Sequence, residues 1–188
     1  METVKTVLRT FAVFTLLLGV VYPFFVMGVG KLAFPHQANG SLVERRGKIV
    51  GSSLIGQEFS SPKYFHGRYS TFGYNARESG ERSVALSSAK LLERTKERGR
   101  RVLQKNKLPS EVRLPADMVF DSASGLDPHI TVANALFQLP RVAQQRGLPA
   151  DRVKKEVYDS IDSDFIGIWG QAGVNVLKLN LALDALEK

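Results

Sequence analysis

The chain has 188 residues, a formal net charge of +8 at pH 7 and no cysteine. Without cysteine it has neither disulfides nor thiolate metal sites, and its length allows one domain with its own core besides a membrane segment. The positive charge is local, because residues 90–107 hold eight basic and two acidic side chains. Absence of cysteine agrees with a bacterial envelope protein, although it does not establish that location.

A charge-free segment near the amino terminus predicts a membrane-spanning helix. It extends from Thr10 to Gly30 between Arg9 and Lys31. As a helix, residues 11–29 cover about 28 Å, close to the roughly 30 Å of hydrocarbon in a bilayer. A secretory signal has a shorter apolar region and a small-residue cleavage site, so a retained anchor is favoured. We expect five residues to mark this anchor: Phe11, Leu17, Gly19, Pro23 and Val29.

The charges flanking this segment give conflicting signals about its orientation. Lys5 and Arg9 precede it, whereas Lys31 and several basic residues follow it. Long domains translocate largely regardless of charge, so the short basic tail is the better guide. We therefore expect a cytoplasmic tail over residues 1–10, a transmembrane helix over 11–30 and an extracytoplasmic domain over 31–188.

The residues after the anchor predict a mixture of helices and strands. Residues 41–55 favour a β-hairpin about a turn that contains Gly47, and residues 57–82 favour a long packed loop rich in aromatic residues. The remaining predictions are a helix over 87–107, a strand over 117–121, a helix over 131–147 that Pro140 breaks or restarts, a helix over 149–160, a strand over 174–179 and a helix over 181–187. This pattern indicates an α+β fold.

The basic segment from Lys90 to Lys107 allows several interpretations. Nucleic-acid binding is disfavoured, because stacking aromatic residues and a recognisable module are missing. A solvated helix face is favoured over contact with phosphate, lipid headgroups or an acidic partner.

Candidate catalytic residues are sparse. The histidines at positions 36, 66 and 129 lie far apart in sequence, without the spacing of a metal site, and no nucleophile motif or P-loop is present. We therefore expect no catalytic and no metal site. Residues 122–130 are the densest polar stretch and predict a turn that leads to a helix amino terminus, where free amides receive an anion or are capped internally.

Several blocks of sequence, in order, closely resemble the KdpC family, the C subunits of the bacterial Kdp potassium-transporting ATPase. The resemblance extends from the anchor to the carboxyl terminus. It departs from the family pattern at Ser79–Ser83 and Ser87–Lys90. The blocks that carry it are residues 34–42 (FPHQANGSL), 54–57 (LIGQ), 64–68 (YFHGR), 124–130 (SGLDPHI), 141–143 (RVA) and 174–184 (VNVLKLNLALD).

The resemblance implies a non-catalytic accessory subunit in the bacterial inner membrane. Its partners would be a potassium-channel-like subunit and a P-type ATPase subunit, and its role would be assembly, stabilisation and raising the pump's ATP affinity as a catalytic chaperone. No cofactor of its own is expected, with ATP possible through the complex. Candidates for nucleotide or partner contact are Ser124, Gly125, Leu126, Asp127, Gln138 and Arg141.

A different class of function also fits the sequence. The chain would then be a single-span envelope sensor or enzyme with a small-ligand pocket in residues 57–82. We also expect the basic helix to face away from the entrance of a cation pathway, because its charge would repel potassium.

Overall fold

A computed structural model describes residues 1–80, 84–85, 87–106, 108–162 and 170–186. It divides into two compact units, Met1–Val50 and Gly51–Lys188. The combination of an apolar amino-terminal helix with a region of mixed helices and strands confirms the predicted α+β class.

A single long helix dominates the first unit. Helix α1 (Glu2–Leu16), a π-helical turn (Leu17–Val21) and helix α2 (Tyr22–Ala33) form a continuous helix of 32 residues, long and apolar enough to cross a membrane. No residue in the most apolar stretch of this helix is buried against the rest of the chain. The predicted anchor residues all lie on it, with Phe11, Leu17 and Val29 exposed by 70%, 45% and 47%.

Pro23 explains the π-helical turn. Proline has no backbone N–H, so a regular helix would lose the bond to the carbonyl of Gly19 and its ring would crowd that turn. Instead the Tyr22 amide donates to the Leu17 carbonyl, five residues earlier. This wider turn is the local adjustment that lets proline occupy a membrane helix.

A short helix and a hairpin complete the first part of the chain. Helix α3 (Pro35–Ala38) precedes strand β1 (Leu42–Arg45), which pairs with strand β2 (Lys48–Ser52). Arg46 and Gly47 connect the strands with φ of 52° and 73°. Two positive φ angles are typical of the type I′ turn that matches the twist of a hairpin. The predicted hairpin is confirmed.

The second unit packs helices against a small sheet. Strand β3 (His129–Ile130), strand β5 (Gly173–Asn175) and strand β4 (Ile161–Asp162) lie in that order and pair antiparallel, with Val174 opposite both Ile130 and Ile161. The helices are α4 (Ala89–Lys105), a short 3₁₀ turn (Ala116–Met118), α5 (Val132–Arg146), α6 (Ala150–Asp159) and α7 (Val176–Leu186).

The main core lies between helices α5, α6 and α7 and strand β5. Phe65 comes from the long loop and is fully buried in this core, so its side chain anchors the loop there. A smaller cluster lies under helix α4, where Val102 packs with Met118 and Val119. Apolar burial of this kind is the main favourable term in folding. The members of the main core are Phe65, Ile130, Ala135, Leu139, Val142, Ala143, Val153, Val157, Val174, Val176, Leu179 and Leu183.

Three predicted elements differ in the structure. Residues 117–121 contain the end of a 3₁₀ turn rather than a strand, and helix α5 continues through Pro140. Pro140 is exposed, so water can replace the missing hydrogen bond there. The predicted strand over 174–179 ends at Asn175, because Val176, Leu179 and Leu183 are buried at helical spacing in α7.

Candidate functional site

The second unit contains a segment, residues 64–68, whose backbone is held by side-chain amides. Asn180 of α7 pairs with Phe65 in the way a neighbouring strand would. Its Oδ1 accepts from the Phe65 amide at 2.8 Å, and its Nδ2 donates to the Phe65 carbonyl at 2.9 Å. Asn180 is 1% exposed, so this pair satisfies buried backbone groups that water does not reach.

Gln138 of α5 holds the next residue in the same way. Its Oε1 accepts from the His66 amide at 2.9 Å, and its Nε2 donates to the His66 carbonyl at 3.0 Å. The same Nε2 donates to Asn134 at 2.8 Å, and Oε1 also accepts from Arg141 at 2.7 Å. An amide side chain has two donor and two acceptor positions, so Gln138 is saturated within the chain.

Asp117 extends this network to the start of helix α5. Its carboxylate accepts from the Thr131 amide at 2.8 Å and from Asn134 Nδ2 at 3.0 Å. Thr131 is the N-cap of α5 and accepts from the Asn134 amide at 3.1 Å. The helix amino terminus is therefore capped by the chain itself, the more common use of such amides.

Arg141 joins three parts of the second unit. Its Nε donates to Asn106 at 3.1 Å, its Nη1 donates to the carbonyls of Pro62 and Tyr64, and its Nη2 donates to Gln138. Four of its five N–H donors thus bind protein atoms. Burial lowers the pKa of Arg141 to about 10, which leaves it charged at neutral pH.

His66 lies beside this guanidinium and is neutral. Burial, then the positive charges of Arg141 and Lys105, lower its pKa to about 4 despite a backbone hydrogen bond that favours the charged form. Its Nε2 is 3.1 Å from the Ser61 carbonyl, so the neutral ring donates there.

Two cavities border His66 and Gly67. The inner one has a volume of about 50 Å³ and is lined by Asn134, Gln138 and Arg141. That volume holds a few water molecules but no nucleotide. A wider cleft of about 290 Å³ lies along the long loop, lined by Phe59, Tyr69 and Tyr74 among others.

The predicted turn over residues 122–130 is present and self-bonded. Ser122 Oγ accepts from the amides of Gly125 and Asp127 at 3.2 and 3.4 Å, and Ser124 Oγ accepts from the Leu126 amide at 3.1 Å. The carbonyls of Ser124 and Leu126 accept from the amides of Gly80 and Gly56. Gly125 has φ of 71°, a conformation that favours glycine.

Arginine–carboxylate pairs fix helix α4 to this turn region. Arg94 and Arg98 contact the two oxygens of Asp121 at 2.8 and 2.7 Å, and the Asp121 side chain is 5% exposed. Arg98 also stacks 4.2 Å from the ring centre of Tyr69. The interpretation of Lys90–Lys107 as a solvated face is therefore wrong for Arg94 and Arg98, although Lys90, Lys96 and Arg100 are exposed.

Arg68 connects the two sets of predicted contact residues. Its Nη1 binds Asp127 Oδ2 at 2.9 Å, and Arg68 itself lies two residues after His66, whose backbone Gln138 holds. Ser124, Gly125, Leu126 and Asp127 lie together in one turn, and Gln138 and Arg141 lie together on α5. No hydrogen bond that the structure describes joins the turn directly to the α5 pair.

His129 contacts carboxylates without forming a metal site. Its Nε2 is 3.0 Å from Asp162 Oδ2, and Lys178 binds the same carboxylate at 2.9 Å. Burial opposes ionisation of Asp162, but hydrogen bonds from His129 and Lys178 hold its pKa below the ordinary value. Over the described residues, no group of three or more His, Cys, Asp or Glu side chains is placed to hold a metal ion.

Sequence reasoning missed Asn134, Asn180 and Asp121. One signal was available: Asn180 lies three residues before the buried Leu183 on α7, and Asn134 lies eight residues before the buried Val142 on α5. A polar residue on the apolar stripe of a helix needs a buried partner.

Comparison with known proteins covers nearly the whole chain. Residues 4–185 match the family model described as KdpC, K⁺-transporting ATPase, c chain. The potassium-transporting ATPase KdpC subunit of Caldanaerobacter subterraneus is 46% identical over 182 residues, covering 97% of this chain and 94% of the relative. The corresponding protein of Mycobacterium bovis is 46% identical, with 93% of both chains covered, and that of Rhodopseudomonas palustris is 42% identical, with 98% of both covered. The chain therefore belongs to the KdpC family, the C subunits of potassium-transporting ATPases.

Proposed function

We propose that this chain is a non-catalytic subunit that assembles and stabilises a high-affinity potassium uptake complex in the bacterial inner membrane. One observation carries the proposal: no residue in the most apolar stretch of the helix Glu2–Ala33 is buried against the rest of the chain. A helix that is apolar all round requires lipid or another protein around it. Membership of the KdpC family supports a Kdp ATPase as the assembly that it joins.

The partners that we propose are the potassium-channel-like subunit and the P-type ATPase subunit of that complex. The helix would contact them within the membrane and the second unit outside it. The tail over residues 1–10 would then remain in the cytoplasm, with the anchor over 11–30 and the domain over 31–188 outside.

The predicted contact residues favour a protein partner over a nucleotide. Gln138 is saturated by internal bonds, and Arg141 uses four donors on protein atoms. Ser124 is exposed at the turn, while Gly125 is buried beneath it. We therefore propose that Ser124, Leu126 and Asp127 present a surface to a partner, and that Gly125, Gln138 and Arg141 position it.

The catalytic-chaperone role is the finer part of the proposal. In this orientation the domain does not meet cytosolic ATP, so it would raise the ATP affinity of the pump subunit through contacts between subunits. Such an effect requires that the chain bind the high-affinity state of the pump more tightly.

Co-purification of the complex tests the assembly function. Full-length chain carrying a carboxyl-terminal tag should retain the other two subunits in detergent, and a chain lacking residues 1–30 should retain far less of both. Ser124→Arg should weaken retention, while Gln144→Arg, at an exposed position on α5, should not. Failure of the full-length chain to associate would overturn the proposal.

Topology reporters test the orientation separately. An alkaline phosphatase fusion at Lys188 should be active and a green fluorescent protein fusion should be dark, because the first works outside the cytoplasm and the second inside. The reverse pattern would overturn the orientation and bring direct ATP contact back into consideration.

The cleft of about 290 Å³ in the long loop supports an alternative function, a single-span sensor or enzyme with a small ligand. Such a protein would remain monodisperse without the pump subunits and bind its ligand alone. The co-purification experiment distinguishes these two functions.

A further inference from the structure

We propose that the hairpin β1–β2 is a membrane-surface element that binds anionic lipid headgroups. It follows the apolar helix after eight residues, and all of it except Gly51 and Ser52 lies in the same compact unit as that helix. The proposal rests on the membrane-spanning role of that helix, but it holds for either orientation, because the hairpin lies near whichever surface Lys31 reaches.

The hairpin exposes apolar side chains that a water-facing hairpin would avoid. Ile49 is 61% exposed and Leu42 is 41% exposed. Between the helix and the hairpin, Leu32 and Phe34 are 87% and 59% exposed. A two-stranded hairpin alone is only marginally stable in water, so this apolar surface needs a covering medium.

The positive charge of the same segment indicates that the covering medium is an anionic membrane surface. Residues 31–50 contain Lys31, Arg45, Arg46 and Lys48 against one acidic residue, Glu44. Arg46 and Lys48 lie at the hairpin tip and are exposed. Basic residues next to apolar ones suit a membrane interface, where the charges meet headgroup phosphates and the apolar groups enter the acyl boundary.

The connecting chain is short enough to hold the hairpin at that surface. Residues 34–41 separate the long helix from β1, and four of them form helix α3. Four helical and four extended residues together span at most about 20 Å. The headgroup region begins where the charge-free segment ends, at Lys31, so the hairpin is confined near it.

Site-directed spin labelling of the full-length chain in vesicles tests this proposal. The chain has no native cysteine, so Ile49→Cys creates a single labelling site. Leu92→Cys is the matched control, because Leu92 is also apolar and 56% exposed but lies on α4. Accessibility to oxygen reports lipid, and accessibility to a nickel chelate reports water.

In vesicles with about one-third phosphatidylglycerol, we expect the label at position 49 to be oxygen-accessible and the label at 92 to be nickel-accessible. In pure phosphatidylcholine, or after Arg46→Gln with Lys48→Gln, the ratio of lipid-bound to aqueous label at 49 should fall about 30-fold. Two basic residues near an anionic surface contribute about fivefold each. High salt should produce a similar shift.

Other outcomes would overturn the proposal. Equal nickel accessibility at 49 and 92 in anionic vesicles would place the hairpin in water. Shielding of position 49 in detergent as well as lipid would mean that the chain itself covers it, and shielding only in the assembled pump would mean that another subunit does. Alkaline extraction of the same vesicles separates the two proposals, because release of the chain overturns the anchor, whereas retention with an aqueous position 49 overturns the hairpin proposal alone.

Discussion

The loop segment over residues 64–69 is fixed at two places by different chemistry. At Phe65 and His66, neutral amides of Asn180 and Gln138 bind the backbone in a buried setting. A few residues later, Arg68 binds Asp127, and Arg98, which pairs with Asp121, stacks on Tyr69; the side chains of these two arginines are 27% and 17% exposed. Salt has little effect on hydrogen bonds between buried neutral groups, whereas it screens and weakens partly exposed ion pairs. The two fixing points should therefore respond differently to mutation, pH and ionic strength.

Asn180→Leu removes the hydrogen bonds to the Phe65 backbone, and we expect it to lower the stability of the chain more than any other substitution considered below. The apolar side chain would leave the Phe65 N–H and carbonyl buried without partners, at a cost of about 1–3 kcal/mol each. We expect a loss of about 2–5 kcal/mol in the free energy of unfolding and about 10 °C in melting temperature. Melting of the full-length chain in detergent, followed by circular dichroism at low and high salt, measures it. Gln144→Leu, at an exposed position on α5, is the control. A loss that changes with salt would contradict the assignment.

Acidification should weaken the same point through His66. Its pKa of about 4 in the folded chain lies below the ordinary value of 6.5, so the unfolded chain takes up a proton first as pH falls. Stability is therefore full above pH 6.5 and decreases down to about pH 4, by at most about 3 kcal/mol. Urea unfolding across this range should show the slope, and His66→Gln should reduce it while His36→Gln should not. A flat profile in the native chain would contradict the burial of His66.

The amide-held point also shows what the sequence can predict. Helix α5 was predicted because apolar spacing is a local signal, whereas Gln138 and Arg141 became candidates through the family resemblance. Their partners at His66, Pro62 and Tyr64 lie about 70–80 positions away in sequence, and single-sequence patterns contain no pairing information of that range.

Helix α7 illustrates the other limit. The sequence from Val174 to Leu179 alternates like a strand, but Val176, Leu179 and Leu183 are buried on one face of helix α7. The sequence fits both the two-residue period of a strand and the 3.6-residue period of a helix, so tertiary packing determines which of the two forms. The predicted helix began at Leu181, whereas α7 begins at Val176 and includes the buried Asn180, which is why the role of Asn180 was missed.

Asp121→Asn should test the ion-paired point, with a smaller effect than Asn180→Leu. The substitution removes the charge that Arg94 and Arg98 bind, but both arginines retain access to water. We expect a loss of about 1–2 kcal/mol that shrinks at high salt, with faster amide hydrogen exchange in α4. Glu97→Gln removes the exposed pair with Arg101 and should change stability by less than about 0.5 kcal/mol. If amide hydrogen exchange in α4 were equally fast in the Asp121→Asn and Glu97→Gln variants, Asp121 would not be what holds helix α4 in place.

Asp162 should give the smallest effect, in a different pH range from His66. Hydrogen bonds from His129 and Lys178 outweigh burial and hold its pKa below the ordinary value, so its stabilisation is present above that value and is lost as pH falls through the lower one. Its side chain is 43% exposed, so screening limits the contribution of the pair to less than about 1 kcal/mol.

Asp162→Asn should therefore lower stability slightly at neutral pH and leave the His66 slope between pH 6.5 and 4 intact. Asp159→Asn, which removes a looser pair with Lys155 at 3.9 Å, is the matched control and should be nearly silent. Urea midpoints at pH 7 and at more acidic pH measure this contribution, because the stabilisation from Asp162 is lost as pH falls through its lowered pKa. If Asp162→Asn instead removed the slope above pH 4, the acid sensitivity of the second unit would not come from His66, and the amide-held point would be insensitive to pH as well as to salt.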